Sequence, residues 1–347
     1  MREKASVAAL VLLLTCLSGA ASAAPFKVMP SWLGTPHDMV FRVTTRGEQT
    51  WAVGSIGIMV KRTPQSPWKL ISDTGGMAML GIAFAPSGEG VAVGQQGSLY
   101  EAAAGYDIWT RHDVGTTERL FAVAASPKGE FVAVGSFGTI LDRPAGSKEW
   151  KKVNTTWNGG TTPHLYDVLF ADDTTAIVVG EDESVVTVKG GIATDIRDLG
   201  QTGGRAKAPK TETAQGMQEA AAAAGISGAG PVEPALFTIT KCGNTIAASG
   251  QQGLLAIRQS SGDWQTLTIP DKPDLFGLTC MPDGELVGTS AGFLVVGKHQ
   301  GDGWSWQEMP VVPVRLDWIA SALPVSADAL LLAGPAAVWE GQLNGSR

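Results

Sequence analysis

Residues 131–140 read FVAVGSFGTI, residues 51–58 read WAVGSIGI, and residues 91–97 read VAVGQQG. An apolar run that closes on glycine and then turns is a strand entering a tight turn. The closing glycines are Gly54, Gly94 and Gly135, and weaker copies end at Gly180 (IVVG), Gly250 (AASG), Gly288 (ELVG) and Gly334 (LLAG). The seven copies are spaced by 40, 41, 45, 70, 38 and 46 residues. A period near 40 is that of a propeller blade of four strands.

Each unit repeats one internal plan. In residues 119–153 the predicted strands are 119–125, 130–135, 139–142 and 149–153, with turns at Ser126–Gly129 and Ser136–Gly138. The first strand recurs as Val40-Phe41-Arg42-Val43, Leu165-Tyr166-Asp167-Val168, Leu236-Phe237-Thr238-Ile239 and Leu275-Phe276-Gly277-Leu278. The fourth carries Trp68, Trp109, Trp150 or Trp264, 14 or 15 residues after the glycine, and Trp304 follows Gly288 by 16. Unit four has Thr194 or Asp195 there instead. The last unit ends before its tryptophan is due, whereas Trp32 precedes the first unit. Residues 27–33 are therefore expected to complete the last blade, which leaves no unfinished sheet edge. The expected fold is all-β: a seven-bladed β-propeller of four-stranded antiparallel blades, its ring closed by the N-terminal strand 27–33. Residues 24–347 form this single domain. Residues 200–234, poor in aromatics and rich in Ala and Gly, read as a flexible insertion between blades four and five.

Arg2 and Lys4, the apolar run Ala5–Leu17 and the small-x-small site Ala21-Ser22-Ala23 read as a signal peptide over residues 1–23. The residues before Cys16 fit a lipoprotein signal poorly. No other stretch approaches the ~20 apolar residues of a membrane span. The mature chain is expected to be exported to the periplasm as a monomer without a membrane span. Cys242 and Cys280 are then an even pair in an oxidising compartment and a candidate disulfide. They fall at corresponding strand ends of adjacent blades, opposite the insertion. The net charge of −7 argues against nucleic acid as a partner.

The repeat behind a leader resembles the photosystem II stability/assembly factor-like propellers, within the wider BNR (Asp-box) group that includes sialidases and sortilin-type receptors. The family hairpin, an Asp-Gly-Gly-x-x-Trp type, is reduced here to Ser261-Gly262-Asp263-Trp264 and Asp302-Gly303-Trp304. The resemblance implies an exported scaffold that helps a membrane complex assemble or work, and it does not imply a photosystem. A glycan-active protein of the sialidase type is the alternative. It needs an arginine-rich pocket around Arg42, Arg119 and Arg315 with an acid in reach. Tyr166 occupies the place of Phe41, Phe121 and Phe237, so it reads as a core aromatic rather than a nucleophile.

No catalytic, cofactor or metal motif emerges. The four histidines lack ligand spacing, and Glu181-Asp182-Glu183 reads as a solvated turn. What remains is a surface. In a propeller the loops before each first strand share a face with the turns between second and third strands. Those loops supply His37, Asp38, Glu118, Arg119, His164, Asp274 and Arg315; the turns supply Gln95, Gln96, Phe137, Glu181, Asp182, Gln251 and Gln252. This face is the candidate for binding a membrane protein complex. Arg42 and Asp167 share one place in the innermost strand of blades one and four. They are candidates to line the channel or to form an ion pair with a neighbouring blade.

Overall fold

A computed structural model describes residues 25–61, 63, 65–72, 74–157, 162–199, 234–301, 303–312 and 318–343. The leader 1–23 with Cys16, Asp302, Arg315 and all of the insertion except Pro234 lie outside the described residues. Nearly all regular structure among these residues is strand, in five four-stranded antiparallel sheets and one of eight strands. Sheet 1 spans residues 40–72, sheet 2 residues 79–112, sheet 3 residues 120–152, sheet 4 residues 165–198 and sheet 5 residues 236–268, each with its strands in chain order.

Sheet 6 has two halves. Gly277–Cys280, Leu286–Thr289, Phe293–Gln300 and Gly303–Val312 form the first. Ser321–Pro324, Ala329–Gly334, Ala337–Gln342 and Phe26–Leu33 form the second. Phe26–Leu33 runs antiparallel to Ala337–Gln342, pairing Val28 with Gly341 and Leu33 with Ala337. It also pairs parallel to Gly303–Val312 through Phe26 with Val311 and Lys27 with Val312. That second pairing, which joins the two halves, leaves no periodic signal in the sequence.

The second strands are sequestered on both faces, as in Gly90–Gly94, Phe131–Gly135 and Ala329–Gly334. This is why they read as near-continuous apolar runs. The core lies between successive sheets. Val132, Val134 and Ile140 of sheet 3 pack with Leu165, Val168 and Val178 of sheet 4. Ile177 and Val179 of sheet 4 pack with Leu236 and Ala248 of sheet 5. Leu331, Ala333 and Val338 of the second half of sheet 6 pack with Val40, Ala52 and Met59 of sheet 1.

The recurrent glycine has a steric cause. A Cβ at Gly250 would strike the carbonyl oxygen of Ala235, just before the first strand, and one at Gly135 would strike that of Arg119. The same approach lets the next residue's N–H reach that oxygen: Gln251 donates to Ala235 at 3.0 Å and Ser136 to Arg119 at 2.8 Å. In the first half of sheet 6 the sequence assignment of this place needs correction. Gly277 pairs with Thr289 as Arg42 pairs with Val53, so the counterpart of Gly54 is Ser290, not Gly288. Ser290 meets the oxygen with its hydroxyl, donating to Asp274 at 2.7 Å. Trp304 then follows its marker by 14 residues, as Trp68 and Trp264 do.

Sheet 3 also buries two carboxyl groups, Glu130 just before its second strand and Asp142 in its third strand. Burial, then hydrogen bonding to Asp142 and its charge, pushes Glu130 up to about 7, and burial raises Asp142. The native state therefore holds a proton that the unfolded chain releases from about pH 4.5 upward. Stability should fall between that pH and about 7, by on the order of 2 kcal/mol, and be flat above. Glu130→Gln should reduce the slope in urea titrations across this range, leaving the part due to buried Asp142. Equal slopes for both proteins would refute the assignment.

Candidate functional site

The upper rim is the side bearing the second-to-third turns and the loops that precede each first strand. The candidate site is there and at the aromatic side chains just inside it. In five first strands the register slips by one residue, leaving Phe41, Leu80, Phe121, Tyr166 and Phe237 without a partner on the second strand. Such a bulge re-aims the extra side chain. Here it produces a belt of half-buried rings. Phe121 lies 5.3 Å from Tyr166 between centroids, and Tyr166 lies 5.3 Å from Phe237. Phe237 is 6.1 Å from Phe276, Phe276 is 5.7 Å from Trp318, and Trp318 is 5.9 Å from Phe41. Ala320 holds the belt position in the last repeat, bonding Ala333 as Phe276 bonds Thr289. Trp318, two residues earlier and 37% exposed, fills the space.

Of the next residues along each first strand, Gly81, Ala122, Thr238, Gly277 and Ser321 are small, and Arg42 and Asp167 are not. Small neighbours leave room for Arg42 to reach across. Its guanidinium donates to Asp167 at 2.9 Å, with side-chain exposures of 32% and 5%. The pair links sheets 1 and 4, so it is not the neighbour-to-neighbour bridge that the sequence allowed. Asp167 also accepts from the N–H of Val168 at 3.0 Å and of Ile239 at 3.1 Å.

On the rim many candidate residues brace the fold. Gln95 and Gln251 accept from the backbone N–H of Ala78 and Ala235 through their side-chain oxygens, at 3.3 and 3.0 Å. Glu181 does the same for His164 at 2.7 Å and takes the hydroxyl of Tyr166 at 3.1 Å. It is thus a tied carboxylate rather than a solvated one. Burial first, then Glu181, holds the Tyr166 phenol well above its ordinary range. Partial burial, then Glu181 and Asp198, raises Asp182. The carboxylate of Asp38 takes the N–H and hydroxyl of Thr35. Glu118 donates its N–H to Thr116 at 3.1 Å.

Neighbouring sheets are clasped at this rim by a recurring backbone bond. Gly138 donates to Pro163 at 2.8 Å, Glu183 to Pro234 at 3.0 Å, Gly253 to Pro273 at 2.8 Å, and Ala336 to Asp38 at 2.8 Å. Two turns add a side-chain clasp: Phe137 N–H to His164 Nδ1 at 3.1 Å, and Gln252 N–H to Asp274 Oδ1 at 2.8 Å. His37, Gln96, Arg119, Phe137, Asp182, Gln252 and Asp274 are exposed. Arg119 lies over Phe121 at 6.0 Å.

On the lower rim Cys242 and Cys280 form a disulfide with Cα atoms 5.3 Å apart. Among the described residues no group of three or more His, Cys, Asp or Glu side chains is placed to hold a metal ion. No described helix is long and apolar enough to cross a membrane.

No family model matches the chain, and no curated protein matches it. Solved structures do. The extracellular domain of the hybrid two-component system BT4673 of B. thetaiotaomicron is similar at 10% identity and a TM-score of 0.67, covering 91% of this chain. The chain spans only 39% of that one's length. YCF48 bound to D1 peptide is similar at 15% identity and a TM-score of 0.65, over 94% of this chain and 99% of that one. The WD40 β-propeller domain of Doa1 matches at 10% identity and a TM-score of 0.62, over 90% and 96%. At such identities the likeness shows the fold alone, and the fold is a β-propeller.

Proposed function

We propose that the protein is an exported, non-enzymatic propeller scaffold that holds an extended segment of a membrane protein complex against its aromatic channel mouth. The observation that carries this reading is the belt from Phe41 round to Trp318, whose rings are only half buried at the open end of a rigid fold. Aromatic side chains in a preformed concavity are the usual anchors of a protein contact. YCF48, a structural neighbour solved with a peptide bound, supports the same use of the fold.

The scaffold is read as a seven-bladed ring, the two halves of sheet 6 counting as two blades. The packing of the second half on sheet 1 supports closure, as does the Ala336–Asp38 clasp, which matches those between sheets 3 and 4, 4 and 5, and 5 and 6. The leader-like residues 1–23 support a periplasmic site of action. Arg42 is committed to Asp167 inside the channel while Arg119 lies exposed over Phe121 on the rim, so these two do not converge as a sialidase pocket would require.

A photoreactive phenylalanine analogue at Gln96 or Gln252 on the upper rim should crosslink one specific membrane protein in intact cells. The same analogue at Lys128 or Asp283 on the lower rim should not. Crosslinks of equal yield from both rims, or none from either, would reject the scaffold reading.

A further inference from the structure

We propose that Phe137, held in place by the imidazole of His164, is the anchor by which the upper rim grips an aromatic or long aliphatic side chain of an extended partner segment, and that a second proton on His164 releases it. The proposal rests on the peptide-docking reading above. Phe137 has a φ of 51° and is 62% exposed. The same turn place is held by Gln96, Asp182 and Gln252, at φ of 53°, 53° and 56°. The turn therefore imposes the left-handed backbone, and a polar residue satisfies it. A bulky aromatic there carries strain and exposes apolar surface without serving the fold.

Its surroundings supply a use. The Phe137 ring meets His164 edge-on at 4.8 Å, and His164 lies 6.2 Å from Phe121 and 6.4 Å from Tyr166. The belt thus continues outward across the rim between sheets 3 and 4. Exposed Arg119 lies on the sheet 3 side of this track and exposed Asp182 on the sheet 4 side. A segment laid along it is accommodated best with an acidic group toward Arg119 and a basic one toward Asp182.

The hold is sensitive to protons by its chemistry. Nδ1 of His164 accepts the Phe137 N–H at 3.1 Å, so it carries no proton itself. With both ring nitrogens protonated the imidazole only donates, and the bond is lost. Among described residues, the charged and titratable groups around His164 are the Glu181 carboxylate, which accepts the His164 backbone N–H, and Asp182 on the same turn. The Tyr166 phenol, 6.4 Å from the His164 ring, stays neutral, and the Arg119 guanidinium lies over Phe121. At the clasp of sheets 5 and 6 the equivalent acceptor is a carboxylate, Asp274. His164→Asp should therefore keep the hold and remove its sensitivity.

The test uses the full mature chain, with N-acetyltryptophanamide as an uncharged aromatic probe followed by NMR. The probe should shift resonances of Phe137, His164 and Phe121 near neutral pH. Its affinity should fall roughly fivefold between about pH 7.5 and pH 5, as for the loss of one aromatic contact. The Phe137 amide should exchange faster at the lower pH. His164→Asp should show neither change, and Phe137→Gln should lose the probe site while unfolding at the wild-type temperature. A probe response unaffected by Phe137→Gln, or the same pH response in His164→Asp, overturns the proposal. Probe and pH behaviour as described, with no rim crosslinks in cells, would instead sink the docking reading.

Discussion

Replacing Asp167 by alanine should destabilise the protein by about 3–5 kcal/mol, the range for breaking a buried charge pair from one side. Three partners lose their acceptor at once: the guanidinium of Arg42 and the N–H groups of Val168 and Ile239. The Ile239 group is the most exposed to this loss in energetic terms, because Ile239 belongs to the dry interface of sheets 4 and 5 and water cannot easily replace the acceptor. Asp167→Asn keeps one oxygen for the backbone and should cost roughly half as much. Arg42→Met should cost less again, about 1–2 kcal/mol, because the arginine is partly exposed and Asp167 keeps two backbone donors. Urea unfolding midpoints at neutral pH would order the three. An Asp167→Ala midpoint equal to that of Arg42→Met would show that the backbone bonds contribute little.

Loss of the disulfide should be the other large effect. Cys242 and Cys280 are 38 residues apart in sequence, and the chain-entropy account gives about 4 kcal/mol for closing such a loop. Cys280→Ser, or reduction of the wild type, should lower stability by about 2–4 kcal/mol. The loss should be the same in both, since both free the same loop. A wild type whose unfolding midpoint is unmoved by reductant would exclude the staple as a stabilising element. A reductant effect persisting in Cys280→Ser would place it elsewhere.

The fold was legible because its repeat has a steric origin. A side chain at the marker position would collide with a carbonyl, so the glycine stays where the rest of the unit drifts. The reading slipped by two residues at Gly288 because Ser290 solves the same contact with a hydroxyl, and a search for glycine passes it over. The belt was half visible, since Phe41, Phe121 and Phe237 recur in step. Trp318 is out of step, and only the chain path shows that it completes the series. The crossing from Arg42 to Asp167 depends on small residues in other sheets, which no local pattern encodes. On the rim the residue types were read as a binding face. Gln95, Gln251 and Glu181 instead cap their own first strands, a role set by the turn that follows each glycine.

The strand Phe26–Leu33 has a consequence for the birth of the molecule. Its partners, Gly303–Val312 and Ala337–Gln342, are made some 280 residues later. As the chain is made, this strand must stay single while every intervening sheet forms. Contacts of such long sequence separation make folding slow, and an unpaired strand invites mispairing or capture in the meantime. Completion is therefore a timed event, withheld until synthesis is nearly over. A chain stopped short of residue 303 would carry an unmated segment at its head, a mark by which quality control can tell an unfinished copy from a finished one.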